Sequence, residues 1–194
     1  MHGRVRLEAA VALVLALAAG MAVASRARAE SWLAQGDAAY ARRGEGQQDG
    51  HAAPAPIAAA VAAYEAAWVE EPTGLEVAWK LLRALFFQAE YAAPDEEARQ
   101  AALTRAVERA RQAEARLAAS IGNDLLLGQG EPDEVAAALR GNPHAAPICF
   151  WSAVVVASWA REANPMQALR KGVAERLRRH AELVIALDPS YEAG

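Results

Sequence analysis

Arg83 is the side chain of this sequence best placed to do chemistry. It falls among Trp79, Leu82, Phe86 and Phe87, and a guanidinium in such company needs an acceptor to offset its desolvation. Glu76, an acidic residue on a neighbouring helix, or a carboxylate brought by a ligand would each serve. An internal ion pair would make Arg83 structural, and a ligand carboxylate would make it a binding residue. Trp79, Trp151 and Trp159 add broad flat surfaces whose indole N–H groups want acceptors, as suits a groove for an apolar or amphipathic ligand. The same spacing also packs helical cores without any ligand. Trp151 and Trp159 lie two turns apart, so they either pave one groove or seal one seam. The candidate binding residues are therefore Trp79, Arg83, Phe86, Phe87, Trp151 and Trp159.

Other reactive residue types point away from catalysis. Cys149 is the sole cysteine and sits in the apolar run Ile148-Cys149-Phe150-Trp151, the setting of a buried, inert thiol that can form no intrachain disulfide. His51, His144 and His180 have no second ligand at metal-binding spacing. Phosphate-cradling glycine loops, nucleophile elbows and Cys/His motifs are absent. The arginines Arg176, Arg178 and Arg179 could meet an acidic partner, but Glu175 and Glu182 dilute them into a solvated face. The chain reads as a binding protein, not an enzyme, with no cofactor.

These residues must be positioned by helices. Aliphatic, aromatic and cysteine residues make up 54% of the 194-residue chain, alanine dominates, and only three Phe and four Tyr occur, a composition that favours α-helix over strand. The fold class is all-α. Arg4 and Arg6 precede an uncharged apolar run from Ala9 to Ala24, followed by Ala27-Arg28-Ala29. This is the form of a secretory signal peptide cleaved before Glu30, so residues 1–29 are expected to be removed and 30–194 to form the domain. An uncleaved anchor is the other reading, although the run is shorter than the ~20 residues of a comfortable span. Without residues 1–29 the chain carries 16 basic and 23 acidic residues, a net charge near −7. Such a periplasmic or otherwise exported acidic protein has no electrostatic reason to seek nucleic acid, and after cleavage no stable membrane insertion is expected.

The apolar spacing predicts helices from about Glu30 to Arg43, over the alanine-rich stretch that ends at Pro72, from a Thr73 cap to Tyr91, from Pro94-Asp95 onward, over Pro132–Leu139, from Ala146 to Arg161, and from an Asn164 cap with Pro165 to Asp188-Pro189. The segment Gly44–Pro56 reads as a mobile loop. On the fourth helix Leu103, Ala106, Val107, Ala110 and Leu117 form an apolar stripe, and the interleaved arginines and glutamates opposite it read as a solvated salt-bridge surface. The last helix shows Val173, Leu177, Ala181, Val184 and Ile185 at helical spacing. Before Pro72 stand Ala67, Tyr64 and Ala60; before Pro189 stand Val184, Ala181 and Leu177 at the same offsets. Small, bulky, small and then proline is the second-helix pattern of the tetratricopeptide repeat, in which small residues let paired helices approach and the ring fills the groove. "GDAAYARRG" supplies the matching first helix.

At Trp79-Lys80-Leu81-Leu82-Arg83-Ala84, at "FWSAVVVASWA" and at "LVIALDPSYEAG", the chain resembles the divergent helical-repeat family typified by the periplasmic T-component of TRAP-type solute transport systems. The resemblance extends over residues 30–194. It implies a tetratricopeptide-like stack of about six or seven helices, association with an extracytoplasmic solute-binding protein, and a role as an accessory component of solute uptake, with an apolar or amphipathic small ligand as a further expectation. A general envelope scaffold for protein–protein interaction is the alternative. An uncovered face on the last helix would favour a homo-oligomer. A ligand-handling protein needs a closed apolar cavity beside Arg83, whereas a scaffold needs an open concave face.

Overall fold

A computed structural model of the chain describes residues 2–122, 130–162, 166 and 172–191, with side chains described from residue 20 onward except Ala22. Its elements are α1 (His2–Ala41), α2 (Pro54–Glu70), α3 (Leu75–Tyr91), α4 (Glu96–Ser120), α5 (Pro132–Leu139), α6 (Ala145–Glu162) and α7 (Val173–Leu187). Among the described residues there is no strand, only a bridge between Gln48 and His51. Consecutive helices pair as the hairpins α1–α2, α3–α4 and α6–α7, with α5 against α7. The first helices of the hairpins form one layer and the second helices the other.

Alanine sets the spacing of these layers. Ala60, Ala67, Ala78, Ala84, Ala106, Ala110 and Ala113 are all at most 1% exposed, so neighbouring backbones approach to the short end of the interhelical range. Tyr64, 0% exposed, is the ring that fills the α1–α2 groove, and it lies against Gly36 so closely that a Cβ there would stand 2.4 Å from its Cε1. The Tyr64 hydroxyl donates to Asp37 Oδ1 at 2.8 Å. Burial and that carboxylate push the phenol above its ordinary value. The other Asp37 oxygen accepts from Lys80 Nζ at 2.7 Å, and Lys80 also reaches Glu76 at 2.7 Å. One polar knot thus ties α1, α2 and α3.

Several local expectations need correction. The first helix does not begin at Glu30 but continues without a break from His2. No Thr73 cap forms: Gly74 is the N-cap of α3 and no side chain bonds there. Residues 44–53 form a structured turn, with positive φ at Gly46, Asp49 and Gly50, and the Ala52 N–H donates to the Tyr91 carbonyl at 2.7 Å; Pro54 and Pro56 already belong to α2. The α7 helix starts after a left-handed Gly172 (φ 61°), so it does not run unbroken from Pro165; Asn164 and Pro165 themselves lie outside the described residues. Its buried positions are Val173, His180 and Leu183, whereas Ala181 faces solvent and Ile185 is 65% exposed. Asp95 does cap α4, accepting from the Ala98 N–H at 2.8 Å, and the apolar stripe of that helix is buried as expected.

The polar face of α4 is less solvated than its sequence implies. Arg109 pairs with Glu65 of α2 at 2.5 Å and Arg99 with Glu90 of α3 at 3.2 Å. Arg116 lies 3.2 Å from the Trp68 ring centroid and donates to the carbonyls of Trp68, Glu71 and Gly74. The Trp68 carbonyl is one of the acceptors that the end of α2 leaves without an intrahelical donor, whereas the Glu71 carbonyl also accepts from the Gly74 N–H at 3.0 Å. Burial drags the Arg116 guanidinium down to about 10. Arg116→Met is expected to destabilise the fold by about 2 kcal/mol, because the Trp68 carbonyl loses its donor and the hydrogen bonds to Glu71 and Gly74 and the cation over the Trp68 ring go with it; a urea melt with unchanged slope and a lowered midpoint is the measurement. Among the residues whose side chains are described, from Gly20 onward, no helix is long and apolar enough to cross a membrane.

Candidate functional site

The layer of α1, α3 and α6 carries a continuous path of aromatic rings. Tyr40 at the end of α1 meets Phe87 of α3 edge-on, with centroids 6.2 Å apart. Phe87 packs on Tyr91 at 5.0 Å and Phe86 on Tyr91 at 6.3 Å. From Phe86 the path crosses to Trp151 of α6 at 5.8 Å, then to Phe150 at 5.2 Å and to Tyr191 after α7 at 5.3 Å. These separations are those of favourable edge and tilted aromatic pairs. Tyr91 is exposed, and Tyr40, Trp79, Phe86, Phe87, Phe150 and Trp151 are half-buried, so the path forms an open surface.

Two guanidiniums are set into this surface. Arg83 lies 4.1 Å from the centroid of Tyr40 and 4.9 Å from that of Trp79. Arg43 lies 4.3 Å from Tyr40 and 5.5 Å from Phe87. Glu76, one of the acceptors foreseen for Arg83, is taken by Lys80. Among the described residues no carboxylate lies within ion-pair distance of Arg83, and its Nε is buried without a hydrogen-bond partner. Its charge is held by ring faces and by its neighbourhood to Tyr64, whose phenol it pulls down in part. Among the described residues Arg43 bonds its own turn, donating to the Tyr40 carbonyl at 3.1 Å. A cation over a ring keeps much of its electrostatic reach, because the ring quadrupole offsets the charge without neutralising it.

Five of the six candidate residues fall together here: Trp79, Arg83, Phe86, Phe87 and Trp151. Trp79 donates its indole N–H to His144 Nδ1 at 3.4 Å, whereas the Trp151 indole nitrogen is buried without a partner. Trp159 does not belong. It is 6% exposed and packs in the seam between α4 and α6 with Ala89, Leu103, Val107, Val156 and Val173. Eight residues advance a helix by more than two turns, and that remainder, about 80° at 3.6 residues per turn, separates the paths of the two tryptophans. Tyr40, Arg43, Tyr91, Phe150 and Tyr191 complete the surface and escaped sequence reading. Their types gave a signal, but Tyr40, Arg43, Tyr91 and Tyr191 sit at a helix end or in a turn, where periodicity does not assign a face, and Phe150, inside α6, is joined to the surface by its contacts with Trp151 and Tyr191.

The remaining reactive groups are engaged in the fold. Arg176 pairs with Glu114 at 2.6 Å, Arg178 with Glu175 at 2.6 Å and with Glu182 at 2.5 Å, and Arg179 donates to the Gly130 carbonyl. The arginines of α7 therefore present little uncompensated charge. Cys149 is 0% exposed, and burial, followed by the charge of Glu114, pushes its thiol up to about 12. Native protein is expected to react with a thiol reagent near pH 8 at least about a hundredfold more slowly than urea-unfolded protein, because only the exposed thiolate attacks; absorbance of the released chromophore measures both rates. Compared with known proteins, the chain matches no family model and no curated sequence.

Proposed function

We propose that this is an exported, non-enzymatic binding protein of the bacterial envelope, a tetratricopeptide-like stack whose α1–α3–α6 face holds a carboxylate-bearing, apolar segment of a protein partner. The observation that carries the reading is Arg83, a cation without a carboxylate among the described residues, fixed between two rings on an open aromatic face. Rings supply area at low entropy cost, and the guanidinium supplies a fork for a carboxylate. The openness of the face supports a protein segment as occupant over an enclosed small molecule. An extracytoplasmic solute-binding protein remains the partner that the resemblance implies, which would make the chain an accessory component of solute uptake. A general envelope scaffold would use the same face.

Arg83→Met tests this reading with the stem packing kept and the charge removed. A photocrosslinking residue placed at the exposed Tyr91 of the full chain, in cells of the source organism, should capture a partner. The yield is expected to fall about tenfold or more in the Arg83→Met background, the loss that matches one charge-assisted hydrogen bond. Capture at full yield from a folded Arg83→Met protein would remove the guanidinium from the binding site and the reading with it.

A further inference from the structure

The bond before Glu30, where the sequence leads one to expect cleavage, lies inside a helix that does not end there. Residues before that bond belong to the first hairpin. Ala29 is 2% exposed. Ser25 Oγ stands 2.7 Å from the Glu70 carbonyl and 2.9 Å from Glu70 Oε2, which share its one proton, and Arg28 Nη2 stands 3.1 Å from the same carboxylate. The Arg28 and Ser25 hydrogen bonds hold the Glu70 carboxyl below its ordinary value. The Glu70 carbonyl is one of the acceptors at a helix C-terminus that lack an intrahelical donor, and Ser25 provides it.

The register of the hairpin makes the same point. Tyr64 meets Gly36 and Asp37, and toward the other end of α2 Glu70 meets Ser25. A first helix that began at Glu30 would stop about one turn short of the α2 terminus. Before Ser25 the helix emerges from the domain with Met21 68% and Val23 70% exposed, at one end of the uncharged run Ala9–Ala24. Arginines frame that run, Arg4 and Arg6 on one side and Arg26 and Arg28 on the other. A helix that is apolar all round belongs in lipid or in a core, and here no core surrounds Met21 or Val23.

We infer that residues 1–29 stay with the chain, Ser25 to Ala29 completing the first hairpin and the apolar run holding the domain against a lipid bilayer. The binding face would then work at a membrane surface, on a helix rigidly continuous with it. The inference does not depend on what that face binds.

The full chain with its native N-terminus, produced in a bacterial host, provides the test. Its intact mass is expected to include residues 1–29, and the protein to remain in the membrane fraction after an alkaline wash. Amides 26–32 are expected to exchange about tenfold or more slowly than in the Glu70→Ala variant, which removes the carboxylate that Ser25 and Arg28 share. A chain starting at Glu30, or full release into the soluble fraction, overturns the inference. Equally fast exchange in wild type and Glu70→Ala overturns it too, because Ser25 to Ala29 would then not be held by α2. None of these outcomes touches the Arg83 crosslinking result, so the two proposals fail separately.

Discussion

Glu114→Ala is expected to cost the fold about 3–5 kcal/mol, the usual penalty for removing one partner of a buried charged cluster. Glu114 projects from α4 into the seam with α7, where its Oε1 stands 2.6 Å from Arg176 Nη2 and 3.1 Å from His180 Nε2. His180, 3% exposed, turns its Nδ1 to the Arg176 carbonyl at 2.7 Å, and a carbonyl only accepts, so that nitrogen carries a proton. Cys149 of α6 lies near enough for its thiol to be raised by the Glu114 charge. Burial alone would raise the Glu114 carboxyl, but hydrogen bonds and charge from His180 and Arg176 outweigh it and hold the group below its ordinary value. The sign of the pH dependence follows. Stability from a depressed carboxyl is complete above its unfolded value and is lost as pH falls through its folded value. The Tm gap between wild type and Glu114→Ala should thus be widest near about pH 7 and should close only well below the ordinary carboxylate range. A gap that stayed constant on acidification would show that the carboxylate is not what stabilises the seam. Glu114→Gln, which keeps the shape and one acceptor, should cost less than Glu114→Ala.

Gly36→Ala is expected to destabilise by about 3 kcal/mol, even though alanine is worth about 1 kcal/mol more than glycine in a helix interior. The added Cβ would lie 2.4 Å from Tyr64 Cε1 and 2.5 Å from its Cδ1. A phenol that is 0% exposed and tied through its hydroxyl to Asp37 cannot step aside, so α1 and α2 must part or the ring must leave its rotamer. Tyr64→Leu alone should also destabilise, by about 2–4 kcal/mol through the lost ring volume and hydrogen bond. Combined with Gly36→Ala it should recover part of the loss, because the methyl then occupies space the ring has vacated. Urea melts of the four proteins give the coupling energy, and additive losses would mean that the two residues do not share one groove.

The all-helical character and the hairpin pairing were legible because alanine content, proline stops and the recurrence of Ala60, Tyr64 and Ala67 depend on local rules that a helix obeys wherever it sits. Those three residues are at most 1% exposed. The same logic found the opening of α4 at Pro94-Asp95 and the apolar stripe of that helix. It failed on α7, where Ala181 fits the repeat pattern and is exposed, because which positions of that stripe become buried depends on how α4 and α6 present themselves to it. It failed in the same way on the arginines of α4. A helix surface of alternating Arg and Glu looks solvated in sequence, yet Arg109 and Arg116 reach across to Glu65 and Trp68 of α2, distances no local pattern encodes.

At the candidate site, the sequence by itself determined that a cluster of rings would surround Arg83, since Trp79, Phe86 and Phe87 are within two turns of it on one helix. Only the tertiary structure decided that Lys80 takes Glu76 and Asp37, that Tyr40 of α1 and Arg43 of the turn after it close over α3, and that Trp151 joins the surface while Trp159 is buried in the seam. The physical reason is reach. Helical periodicity fixes direction within one element to a fraction of a turn, whereas pairing between charges and rings on different helices depends on crossing angle and register, and these are set by packing of whole layers.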